Sequence, residues 1–309
     1  MSAKKRIPFI IITILLVLVI FVMLELIAQL IWPYNMSLRN VVRSSSLPGV
    51  FFELKPDSST IFTGQFVKIS PTVIQVSSQG IRDYEYPIVK PDGVYRIILL
   101  GDSVAFGWGV ELEQTFAKLL EEMLNKYSKA KKYEVINFSI PGYNTFQEVA
   151  TLESKCLAYS PDLVIFSVCD NDYKPAFNYL YPFPLSKYVP DYLYKSRFFS
   201  GLIGGLTSKE DKTSSYEIKR GLAELDLAVS KLKEIALKNN IKVLFYQGDG
   251  KYIRDVLLKY GFADSMFSMD RKILYQRRYM IEKDEHFNPD GHKKIADDIL
   301  KFLKINGYI

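Results

Sequence analysis

The sequence predicts an α/β protein built on a parallel sheet, and two features of its second part carry that prediction. Short, continuously apolar runs alternate with longer segments whose apolar residues recur at helical spacing, the pattern of strands buried on both faces and joined by crossover helices. The composition supports it: the 309 residues are 48% apolar, with 40 Lys plus Arg against 34 Asp plus Glu. That balance excludes a disordered, collagen-like or multi-pass membrane chain. The net charge of +6 is modest and dispersed, so no nucleic-acid partner is expected.

The first element is apolar. From Ile7 to Leu24 no residue is charged, Lys4, Lys5 and Arg6 precede the run, and apolar character resumes after Glu25. A bilayer core needs about 20 such residues, so one transmembrane pass fits. The basic triplet predicts a cytoplasmic N-terminus and an extracytoplasmic remainder, with Trp32 and Tyr34 at the interface. A cleaved signal peptide is the rival, but the stretch is long and Ala28-Gln29-Leu30 makes a poor cleavage site, so an uncleaved anchor is expected. No cysteine follows the run to carry a lipid.

Residues 34–93 carry Pro, Gly and Ser clusters with short β-prone runs, Phe66-Val67-Lys68-Ile69 and Thr72-Val73-Ile74-Gln75-Val76, and read as a small β-rich collar. The main domain is expected over 94–309, after an anchor region of 1–33. Its candidate strands are Tyr95 to Leu100, Tyr133 to Phe138, Leu163 to Val168 and Lys242 to Tyr246. Helical stripes run through Phe116, Leu119, Leu120, Met123 and Leu124, and through Ile218, Leu222, Leu225, Val229, Leu232 and Ala236. Thr145-Phe146-Gln147-Glu148 fits a capping box opening a third helix, and Ile295, Ile299 and Leu303 mark the last one before Gly307. Residues 173–199, with ten Tyr or Phe, break the pattern as an insertion, either an aromatic mini-core or a substrate-facing platform. Cys156 and Cys169 are too few for a disulfide framework and read as two buried thiols.

Gly101-Asp102-Ser103 follows the first strand directly. A serine there stands at the carboxyl end of a parallel strand, where open α/β sheets bind ligands, ahead of a helix whose N–H groups favour negative charge. The glycines spell neither a dinucleotide fingerprint nor a phosphate loop, and position 105 is Ala where the G-x-S-x-G elbow needs Gly. A serine hydroxyl needs a base, and the only two histidines lie in Asp284-Glu285-His286-Phe287-Asn288-Pro289-Asp290-Gly291-His292. Asp284 and His286 supply an imidazole with a carboxylate to orient it. A metal site is the poorer reading of two histidines among flexible carboxylates, and His292 reads as structural, at the opening of the last helix.

The ordered set Gly101-Asp102-Ser103, Asn137 to Gly142, Asn171-Asp172 and Asp284 with His286 resembles the SGNH superfamily of GDSL-type esterases and lipases. The resemblance covers roughly residues 94 to 305. It implies a flavodoxin-like three-layer α/β/α sandwich with a five-stranded parallel sheet, the fifth strand falling between about 264 and 283. It also implies Ser103 as nucleophile, His286 as base, Asp284 as its orienting carboxylate, and an oxyanion hole of the Ser103 and Gly142 backbone N–H groups with the Asn171 side chain. Two departures stand out: Asp170 replaces the glycine usual before Asn-Asp, and Asp284 precedes His286 by two residues instead of three. The function implied is a membrane-anchored, extracytoplasmic esterase acting on acyl or acetyl esters of a carbohydrate, lipid or small molecule, without metal or cofactor. The alternatives are an O-acyltransferase using the same triad and an inactive envelope-binding module.

Overall fold

The structure, a computed structural model, describes residues 3–31, 37–64, 69–128, 130–169, 171–176, 196, 198–199, 215–248 and 250–309. The chain opens with helix α1 (Ala3–Ile31), whose segment Phe9–Ala28 has a mean hydropathy of 3.3 and is the one helix among the described residues long and apolar enough to cross a membrane. Its large side chains from Phe9 to Ile27 are exposed, so no protein core accounts for their apolarity.

Two antiparallel ribbons follow, β1 (Val42–Ser44) with β2 (Phe52–Leu54) and β3 (Ser59–Phe62) with β4 (Thr72–Gln75). The expected Thr72 run is thus a strand, but its partner is Ser59–Phe62. Of the other expected run, Phe66 to Lys68 lie outside the described residues. The ribbons bury Leu38, Val41, Phe52, Phe62 and Ile74 in one cluster with Phe106, Trp108, Ile140 and Tyr143 of the main domain.

The main sheet consists of β5 (Val94–Gly101), β6 (Lys132–Asn137), β7 (Leu163–Ser167), β8 (Lys242–Tyr246) and β9 (Met266–Phe267). All neighbours are parallel in the order β6-β5-β7-β8-β9, which numbered from the first sheet strand is 2-1-3-4-5, the flavodoxin-like order. The fifth strand pairs over only two residues, which is why no apolar run announced it.

The alternation of β5 shows how the layers form. Ile97 and Leu99 point to one side, where α3 (Phe116–Tyr127) and α8 (Pro289–Ile305) contribute Phe116, Leu120, Ile295 and Ile299. Ile98 and Leu100 point to the other, against Val149 and Leu152 of α4 (Thr145–Ser154) and Leu225 and Val229 of α5 (Ser215–Asn239). The helical stripes face the sheet as periodicity requires. The capping box expected at Thr145 is corrected: the cap is Asn144, whose side chain accepts from the Gln147 N–H at 3.1 Å, and Glu148 turns into the protein. Two shorter helices, α6 (Lys251–Lys259) and α7 (Arg271–Leu274), flank β9 in the chain. Cys156 is buried and Cys169 half-buried, both free. Of the aromatic insertion, residues 177–195 and 197 lie outside the described residues.

Candidate active site

The order 2-1-3-4-5 makes its chain reversal between β5 and β7, and the crevice at the carboxyl ends of those strands is where the candidate residues gather. Gly101 ends β5 opposite Ser167. A Cβ there would stand 2.7 Å from the Ala105 Cβ and 3.0 Å from the Ser167 Cβ, so only glycine lets the chain turn this close to β7. Asp102 then caps the four-residue helix α2 (Ser103–Phe106), its carboxylate accepting from the Val104 N–H at 2.9 Å. The turn presents the Ser103 side chain.

The Ser103 Oγ lies 2.7 Å from His286 Nε2, and His286 Nδ1 lies 2.5 Å from Asp284 Oδ1. An ionised carboxylate only accepts, so the imidazole carries its hydrogen on Nδ1 and leaves Nε2 to accept from the hydroxyl. The two-residue spacing works because the segment folds back on itself: the Ile281 N–H donates to the His286 carbonyl, the Asp284 N–H donates to the Ile281 carbonyl, and Met280 bridges Phe287. Asp284 Oδ1 also accepts the His286 backbone N–H at 2.9 Å. Burial pushes the Asp284 carboxyl up, but the bonds from His286 outweigh it and hold the group below its ordinary value. Among the described residues the Trp108 indole N–H has no partner within hydrogen-bond limits, yet it lies close enough to Asp284 to add to that lowering.

Trp108 is the residue the sequence reading missed. Its ring stacks on His286 with centroids 4.8 Å apart and meets Phe62 of β3 edge-on at 4.5 Å, so the collar forms a wall behind the imidazole. Arg82 is a second: fully buried, it donates from Nη1 to the Phe106 and Gly107 carbonyls at 3.0 and 2.7 Å, and from Nη2 to that of Val110 at 2.7 Å. Burial pulls its guanidinium down to about 10, still charged at neutral pH. It therefore holds the loop that carries Trp108. No local pattern pointed to Arg82, because its acceptors lie nine residues before it, at Val73, and 24 to 28 residues further on.

The loop after β6 is tied to the same corner. Asn137 donates through Nδ2 to the Ala105 carbonyl at 2.7 Å and accepts the Ser139 N–H at 3.0 Å, and the Ile140 N–H donates to the Gly101 carbonyl at 3.1 Å. Gly142 follows with φ of 83°, a backbone state that disfavours any side chain. Among the described residues the Ser103 and Gly142 N–H groups donate no hydrogen bond. Asn171 lies beyond β7 with an exposed side chain, and Asp170 lies outside the described residues.

Beneath the serine sits an acidic cluster. Cys169 donates its thiol to Asp102 Oδ1 at 3.3 Å and its N–H to Asp172 Oδ2 at 3.1 Å. Burial, then Asp102 and Asp172, push the Cys169 thiol well up, so it stays protonated and is no rival nucleophile. Glu148 is fully buried with no partner for either carboxyl oxygen among the described residues, and burial, then Asp172 and Asp102, raise it well above the usual range. Beside Cys169 a cavity of about 370 Å³ opens between Tyr173, Tyr252, Lys251 and Arg271. Among the described residues no cluster of His, Cys, Asp and Glu is arranged to hold a metal ion.

His292, in the first turns of α8, is buried, accepts the Phe116 N–H on Nδ1 at 3.2 Å and is pushed down to about 3, first by burial and then by Arg82 and His286. Its unfolded form takes up a proton near pH 6.5, so the stability tied to the neutral ring is full above that pH and is lost as pH falls toward 3. His292→Asn keeps an acceptor for Phe116 without titrating. Urea unfolding of the full chain in detergent at pH 7 and pH 4 is expected to show wild type losing about 3 kcal/mol more than this variant. Equal losses would place the acid sensitivity elsewhere.

No protein-family model matches the sequence, and no curated protein matches it. Among solved structures the chain is similar to TesA at 16% identity, covering 68% of this chain and 98% of that one, with a TM-score of 0.45. It is similar to the psychrotrophic esterase EstA from Pseudoalteromonas sp. at 16% identity, over 69% and 99% of the two chains and with a TM-score of 0.44. For the acetyl xylan esterase AlAXEase the identity is 17%, the coverage 67% and 99%, and the TM-score 0.41.

Proposed function

We propose that the protein is a membrane-anchored serine esterase with an extracytoplasmic active site, organised as an anchor over 1–33, a collar over 34–93 and a hydrolase domain over 94–309. The observation that carries this reading is the hydrogen-bonded series Ser103, His286 and Asp284, with contacts of 2.7 and 2.5 Å, at the carboxyl end of a parallel sheet. In the first step Ser103 Oγ attacks the ester carbonyl carbon while its proton passes to His286 Nε2. Asp284 stabilises the imidazolium that forms. The tetrahedral oxyanion is met by the N–H groups of Ser103 and Gly142, helped by the Asn171 amide; a single such donor is worth about 2.7 to 4 kcal/mol of barrier. His286 then protonates the leaving alkoxide, giving an acyl-serine and free alcohol. A water, deprotonated by His286, releases the acid and restores the serine. These side chains carry every step, and no metal or organic cofactor is called for.

The test is labelling with a fluorophosphonate, which reports an activated serine irrespective of the natural ester. The full-length chain is expected to be labelled, and Ser103→Ala and His286→Ala are expected to lose the label. A folded wild-type chain that takes no label would sink the esterase reading and favour a binding module.

A further inference from the structure

An ionisable side chain in an otherwise apolar span calls for a partner, because a lone carboxyl in a bilayer costs several kcal/mol. Glu25, inside the segment Phe9–Ala28, has one. Its Oε2 accepts from the Ser196 hydroxyl at 2.6 Å and from the Phe198 N–H at 3.1 Å, while the Ser196 Oγ in turn accepts the Phe199 N–H at 3.2 Å. The Phe199 ring lies 6.1 Å from that of Phe21, one turn away on the same helix. Residues 196–199 belong to the stretch that leaves the carboxyl end of β7 and returns as α5. The membrane helix therefore holds Ser196 and Phe198 of the connection that begins at the carboxyl end of β7.

A second tether joins the helix to the domain. Only six residues separate Ile31, at the end of α1, from Leu38, which is buried in the cluster containing Phe106 and Trp108. The seven steps between them span at most about 25 Å. Trp108 is the ring stacked on His286. Two short connections thus tie the domain to the apolar helix, one through Ser196 and Phe198 in the connection that follows β7, and one through Leu38 in the cluster that includes Trp108. A water-soluble ester needs neither, since any orientation of an anchored domain would serve it.

We infer that the active site faces the membrane and that its substrate is an ester carried by a lipid-embedded molecule, the inference resting on the esterase reading above. The contact of Glu25 with Ser196 and Phe198 ties the connection after β7 to the apolar helix near that helix's carboxyl end. Glu25 is a positioning residue and takes no part in the chemistry.

The test uses the full-length chain reconstituted in phosphatidylcholine vesicles with two acetate esters, p-nitrophenyl acetate in the water and hexadecyl acetate in the bilayer. Wild type is expected to release acetate from both. Glu25→Leu, which leaves the span at least as apolar but removes the acceptor, is expected to lower turnover of the embedded ester about tenfold or more, the scale of a displaced substrate entry, and to leave the soluble ester unchanged. Glu25→Gln, which keeps an acceptor oxygen, is expected to retain turnover of both. Wild type cleaving the soluble ester but not the embedded one would overturn the inference and leave the esterase reading standing, as would Glu25→Leu acting on both esters alike or on neither. Cleavage of neither ester by wild type, with no fluorophosphonate label, would remove the esterase reading and the inference with it.

Discussion

Ser103→Ala is expected to lower turnover of p-nitrophenyl acetate by about 10⁴-fold or more without unfolding the chain. On the proposed mechanism the hydroxyl forms the covalent bond with the carbonyl carbon, and its removal leaves the Ser103 and Gly142 N–H groups with an oxyanion that no longer forms by this route. His286→Ala is expected to fall to a similar level, because the hydroxyl without a base is too weakly nucleophilic. The double variant is expected to be no worse than either single one, since the two side chains, 2.7 Å apart, act as one unit. Turnover is read together with thermal unfolding of each variant. Multiplying losses in the double variant would mean that serine and histidine act in separate steps; unchanged turnover in Ser103→Ala would move the nucleophile elsewhere.

Arg82→Met is expected to cost about 3 to 5 kcal/mol of stability and to reduce turnover as well. The guanidinium is the buried donor for the Phe106, Gly107 and Val110 carbonyls, and methionine fills comparable space while donating nothing. Those carbonyls would be left with desolvation costs of about 1 to 3 kcal/mol each, partly relieved by movement of the loop. That movement is what couples stability to chemistry, because Trp108 sits in the same loop and its ring fixes the plane of His286. Arg82→Lys should be intermediate, since one ammonium cannot reproduce a planar fork spanning four carbonyls. Urea midpoints of the full chain in detergent measure the first effect, and turnover under conditions where each variant is folded measures the second. A midpoint within about 0.5 kcal/mol of wild type, the scale of an ordinary surface change, would show that the loop holds itself.

Both predictions concern the same corner of the molecule, yet only one of them was foreseeable from the sequence. Ser103, Asp284 and His286 are legible because each lies in a short run whose chemistry is local: a Gly-Asp-Ser turn after an apolar strand, and the chain's only histidines beside a carboxylate. Arg82 and Trp108 are not, because an arginine among loop residues and a tryptophan between glycines carry no periodic or spacing signal. Their roles arise when the collar is laid against the carboxyl ends of the strands. The capping residue of α4 shows the limit at a smaller scale: Thr145 and Asn144 are both good caps by type, and the choice between them depends on Asn144 also donating to the Lys174 carbonyl across the crevice at 2.9 Å.

The sequence by itself determined the parallel α/β class, the four long strands, the faces of the amphipathic helices and the apolar N-terminal span, because each depends on periodicity or continuous apolarity within a segment, and burial of apolar area follows that pattern. The tertiary structure alone decided the two-residue fifth strand, the pairing of Thr72–Gln75 with Ser59–Phe62, the Trp108 wall behind His286 and the seat of Ser196 on Glu25. Each of these is a contact between segments distant in the chain. The free energy of such a contact depends on which surfaces meet, and no local pattern of residues encodes that.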